Sequence, residues 1–169
     1  MPVRGLEVPR CAVLRCVLGQ GRRIRRPLMQ TFLPFEDFVE TARCLDSRRL
    51  GKQRVEVLQI YNTLTSDSRW RNHPAVLMWR GHEWWLLYYG SEICAEWRAR
   101  GYRDSLLRRF LDHIDEMKAE VPSPPPWLGI VELHSSHRAN LIRKLPEHYG
   151  LLGWTEEPMT GYYWPVRKA

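Results

Sequence analysis

Residues 45–64, LDSRRLGKQRVEVLQIYNTL, place Leu50, Val57, Leu58, Tyr61 and Leu64 at helical spacing, a pattern that demands a long amphipathic helix buried along one stripe. Asp46 or Ser47 can cap it. On another stripe Arg49, Lys52 and Glu56 follow one another, with Arg48 and Arg54 close by. A carboxylate at the end of a row of cations suits work on a phosphate polymer. The ordinary alternative is a solvated face on which Lys52 and Glu56 form an i,i+4 pair worth about 0.2–0.5 kcal/mol. Gly51 costs roughly 1 kcal/mol inside a helix relative to Ala, which points to close approach by another backbone. Arg54 projects towards Leu50, Leu58 and Tyr61, where an unpaired guanidinium is expensive. It therefore either meets a buried carboxylate or points into a cleft.

The remaining pattern is helical too. Gln30–Leu33 reads as a short extended segment ended by Pro34. Helices are predicted over 35–43, 45–64 and 74–89, with Asn72 as cap and Pro74 in the first turn of the third. Trp84–Tyr89 is apolar nearly all round, so that helix should be the most buried, and Gly90-Ser91 should break it. A further helix stops at Gly101, another covers 103–120, and a last one starts at Ser135 or Ser136 and ends near Lys144. The aromatic C-terminus, with Tyr149, Trp154, Tyr162, Tyr163 and Trp164, should wrap over the core. The expectation is an all-α fold: one compact domain of about five to six helices over 29–169, with loop-rich termini.

Net charge is +7, but its distribution changes its meaning. Residues 1–28 hold seven Arg against Glu7 alone, and residues 29–169 hold 19 basic and 18 acidic side chains. The folded part is nearly neutral, so local clusters rather than pI carry the argument. Residues 1–28 lack sustained periodicity and read as a basic, disordered extension, or as the product of a start codon placed upstream of Met29. No apolar run is long enough to cross a membrane. The four Cys show no metal spacing and read as free thiols of a cytoplasmic, nucleoid-associated protein.

A second cluster joins His134, His137, Arg138, Arg143 and Lys144. It is either a solvated helix edge or a basic surface. His134 and His137 could share a metal ion, but no matching second pair of ligands exists, and no metal is expected. His73 sits at a helix start, where it either caps and packs or helps hold a phosphate.

Taken in order, MQTFLPF, LDSRRLGKQRVE, HPAVLMW, EWRARGY, PPWLG and SHRANLIRKLPEHY resemble the pyrimidine-dimer DNA glycosylase/AP lyase family, the phage-type endonuclease V of dimer excision. The resemblance spans most of 29–149. It implies an α-amine at the mature N-terminus that attacks C1′ of the damaged nucleotide, and a Glu on the first long helix that stabilises the resulting imine. The Glu role falls on Glu56, and the amine role on Gln30, the residue after Met29, or on Pro2 where translation starts at Met1. The family type has a small residue in place of Gln30. The resemblance further implies double-stranded DNA with damaged or modified bases as partner, phosphate contacts from Arg49, Lys52, Arg54, Arg138, Arg143 and Lys144, no cofactor, and action as a monomer. Arg48, His73 and His137 join the DNA-binding candidates from the clusters above. Two other classes stay open: a non-catalytic nucleic-acid-binding module of the same fold, and a protein-interaction domain.

Overall fold

A computed structural model describes residues 29–117 and 120–166; the Arg-rich segment 1–28 lies outside them. Among the described residues the structure is all-helical: α1 (Phe38–Cys44), α2 (Ser47–Leu64), α3 (Pro74–Trp79), α4 (Glu83–Ala99), α5 (Leu107–Glu116), α6 (Val131–Lys144) and α7 (Pro146–Tyr149), followed by a 3-10 turn over Gly150–Leu152. None of these helices is long and apolar enough to cross a membrane.

Helix α2 forms as its pattern requires. The Asp46 carboxylate accepts from the backbone N–H groups of Arg48 and Arg49, both at 3.1 Å, filling orphan donors of the first turn. Leu50, Val57 and Ile60 are fully buried, and α2 packs against α4, which also packs against α1 and α5. Gly51 does admit a close neighbour, but it is a side chain and not a backbone. A Cβ there would stand 2.9 Å from the Trp97 ring.

The expected helix over 74–89 is two helices. The chain turns at Arg80–His82, where Gly81 adopts φ +78°, and α4 then runs unbroken through Gly90 and Ser91. Gly90 is a packing residue instead of a breaker. A Cβ on it would lie 2.7 Å from Val57 Cγ1 and 2.9 Å from Phe110 Cε2, so its bare backbone lets α2 and α5 both close on α4. Only one side of 84–89 is buried, through Leu86, Leu87 and Tyr89; Trp84, Trp85 and Tyr88 are half-buried.

Two other boundaries move for local reasons. Asp104 accepts from Leu106 N at 3.0 Å and Leu107 N at 2.7 Å, so α5 starts later than expected. Helix α6 begins at Val131, a turn before the serines, and Ser136 Oγ spends its proton on Leu133 O at 2.8 Å inside the helix. The C-terminal segment wraps as expected. Trp154 stacks on buried Tyr149, Arg143 Nε donates to Met159 O at 3.1 Å, and Tyr163 N donates to Ser136 Oγ at 3.1 Å.

Gly90→Ala should therefore destabilise the fold. Overpacking typically costs about 1–3 kcal/mol and outweighs the roughly 1 kcal/mol gain in helix propensity. A denaturant midpoint equal to or above that of the parent protein would refute this packing role.

Candidate active site

The site is built on residues 29–33, a non-helical segment buried between helices. Met29, Gln30, Thr31, Phe32 and Leu33 are all at most 8% exposed, so every backbone polar group needs a partner. Among the described residues no strand supplies one; side chains do. Gln53 on α2 donates from Nε2 to Gln30 O at 2.8 Å and accepts Phe32 N–H on Oε1 at 2.9 Å. The Tyr89 hydroxyl lies 2.9 Å from both Phe32 O and Gln53 Oε1. Leu33 is gripped at both ends by α6: His137 Nδ1 accepts its N–H at 3.2 Å, and His134 Nδ1 lies 2.8 Å from its carbonyl. Trp79 Nε1 donates to Thr31 Oγ1 at 2.9 Å.

This threading brings the nitrogen of residue 30 to 3.3 Å from Glu56 Oε2. Glu56 is 3% exposed. Its Oε2 also accepts from Gln53 Nε2 at 2.8 Å, and its Oε1 faces Lys52 Nζ at 2.9 Å. Burial pushes the carboxyl above its ordinary pKa, and the Lys52 charge and the hydrogen bonds from Gln53 and Gln30 pull the other way. The two basic clusters converge here. Lys144 at the end of α6 is held below its usual pKa, first by burial and then by Arg143, Arg49 and Lys52, while Glu56 opposes. Tyr162 is pushed up to about 12 mainly by burial and also feels Arg143, Arg49 and Glu56. One buried carboxylate thus sits among cations from α2 and α6, with a backbone nitrogen against it. Such a group can hold a positive charge developing beside it and relay a proton.

Residues 29–110 match the family model described as pyrimidine dimer DNA glycosylase. They belong to that family. At family level this match supports a DNA repair glycosylase and points to DNA as the substrate. The matched region of this glycosylase contains Gln30, Lys52, Gln53 and Glu56; α6, with Arg143 and Lys144, lies beyond it. No curated protein and no solved structure matches the chain.

The other candidates scatter. Arg48 is exposed on the first turn of α2. Arg49 pairs with Asp46 at 2.7 Å and lies over the Tyr149 ring, yet its charge still reaches Lys144. Three expectations of a DNA contact meet a different geometry. Arg54 pairs with the buried Asp104 carboxylate and covers Trp97, 4.9 Å from the ring centroid, which resolves its two alternatives in favour of the carboxylate. His137 is fully buried, kept neutral with a pKa of about 3 mainly by desolvation. Arg138 is bound to Glu156 Oε1 at 2.5 Å and to Pro34 O at 2.7 Å. Each is committed within the fold. His73 caps α3 by accepting Ala75 N–H at 3.2 Å. The two histidines of HSSH spend ring nitrogens on backbone groups, His134 Nε2 accepting from Gly129 N at 3.0 Å. Among the described residues, no group of three metal-ligating side chains occurs.

Sequence reasoning missed Gln53, Tyr89 and His134 as the grips on the segment. Gln53 did carry a signal: an amide between Leu50 and Val57 on the buried stripe must find partners inside. Gln53→Leu should cost at least about 2–3 kcal/mol, because Gln30 O, Phe32 N and Glu56 each lose a partner. It should also raise the Glu56 pKa further, since a hydrogen bond to the charged form is gone. Parent-like stability in urea would overturn this role for Gln53.

Proposed function

We propose that this glycosylase excises a damaged pyrimidine from double-stranded DNA by an amine-and-carboxylate mechanism and then cleaves the abasic strand as an AP lyase. The observation that carries the reading is the 3.3 Å approach of the residue 30 nitrogen to Glu56. In a chain that begins at Gln30 this atom is a primary α-amine, with a reference pKa of about 7.7–8.0. The surrounding Arg and Lys charges favour its neutral, nucleophilic form.

The amine attacks C1′ of the damaged nucleotide and the base departs, leaving a protonated imine. Glu56 lies where its negative charge stabilises that cation. It then assists removal of the C2′ proton, and the C3′–O bond breaks by β-elimination. Arg48, Arg49, Lys52, Arg143 and Lys144 form the basic surface for the phosphates flanking the lesion, so binding weakens steeply with salt. Extrusion of a nucleotide costs a few kcal/mol, least at a damaged site.

Glu56→Gln keeps the size of the side chain and removes its charge. On a duplex carrying a pyrimidine dimer it should lower base release and nicking by about 100-fold or more, with DNA affinity changed little. Cleavage at the parent rate would eliminate Glu56 from the mechanism.

A further inference from the structure

The two oxygens of Glu56 face different ways. Oε2 is taken by Gln53 and by the residue 30 nitrogen, whereas Oε1 meets Lys52 Nζ at 2.9 Å. Where residue 29 is joined to Gln30, that nitrogen belongs to a peptide bond, its lone pair is delocalised, and it cannot form an imine. Lys52 suffers neither restriction. Its nitrogen is a primary amine on a flexible stem, and its side chain is 59% exposed beside a carboxylate that is 4% exposed. The amine thus stands between the buried acid and solvent.

We propose that the Lys52 ε-amine is a second imine-forming nucleophile at this site, acting on C1′ with Glu56 as its proton acceptor. The inference rests on the glycosylase/lyase reading above and adds a catalytic residue to it. Attack needs the neutral amine, and the ammonium proton has a route to Glu56 Oε1, because burial makes that carboxyl a stronger base than usual.

At an abasic aldehyde the steps balance. The Lys52 nitrogen adds to C1′, and the aldehyde oxygen takes two protons, one from that nitrogen and one returned by Glu56, and leaves as water, giving a protonated imine. Loss of the C2′ proton expels the 3′-phosphate oxygen with its bonding pair. Water then hydrolyses the C1′=N bond, releasing an unsaturated aldehyde and restoring Lys52.

The test is borohydride trapping of the full chain on abasic duplex DNA, with the adduct located by peptide mass mapping, for the parent and for Lys52→Arg. Arginine preserves the charge and the ion pair with Glu56 but is no nucleophile. The expected result is an adduct on Lys52, and trapping reduced by about 100-fold or more in Lys52→Arg with duplex binding within about twofold of the parent. An adduct on the α-amine of Gln30 or on another lysine overturns the Lys52 assignment and leaves the lyase reading intact. Undiminished trapping by Lys52→Arg overturns it as well, because it makes the role of Lys52 purely electrostatic. Absence of any adduct, base release or nicking removes the lyase reading and this inference together.

Discussion

The structure depends on how five buried residues are satisfied. Residues 29–33 belong to no helix, are almost fully inaccessible, and have no neighbouring strand among the described residues. A buried peptide without partners would cost about 1–3 kcal/mol for each lost hydrogen bond. The chain meets that demand with Gln53 from α2, Tyr89 from α4, and His134 and His137 from α6. These four side chains take the place of a sheet neighbour. They also fix the segment along its axis, which a purely apolar slot would not do. The 3.3 Å approach of the residue 30 nitrogen to Glu56 follows from that fixed register.

The electrostatics follow from the same threading. Glu56 is buried because the segment covers it, and burial makes the carboxyl a stronger base than an exposed Glu. The cations around it come from two helices far apart in sequence, and they are not equivalent. Lys52 contacts the carboxylate directly, Arg49 is shared with Asp46, and Arg143 reaches back to the C-terminal segment. Arg54 and Arg138 look similar in sequence but neutralise Asp104 and Glu156, so they stabilise the frame around the site. Sorting charges by partner separates a chemical site from a merely basic surface.

Local sequence signals were legible where the cause is local. The stripe of α2, its Asp46 cap and the stop at Gly101 all follow from residues within a turn or two. Glu56 stood out because a lone carboxylate in a row of cations is unusual, and the family resemblance gave it a role. What escaped depends on distant residues. Gly90 reads as a breaker until Val57 and Phe110 are known to press on it. HSSH reads as a metal or phosphate feature until Leu33, about a hundred positions away, supplies the hydrogen bonds. The convergence of the two basic clusters requires α2 and α6 to meet across the segment, and no spacing rule encodes that.

The central claim is that the nitrogen of residue 30 lies against a buried, ionisable Glu56. A group with a raised pKa keeps its proton to higher pH than an exposed Glu, whose reference value is about 4.3. As pH rises through that raised value the carboxylate forms, and the hydrogen bond from residue 30 strengthens. The direct measurement is the pH titration of the residue 30 amide resonance in an NMR spectrum of the ¹⁵N-labelled full chain. The amide should shift with an apparent pKa above the ordinary Glu range, and the shift should vanish in Glu56→Gln. A residue 30 amide that is insensitive to pH in the parent, or that titrates identically in Glu56→Gln, would contradict the account.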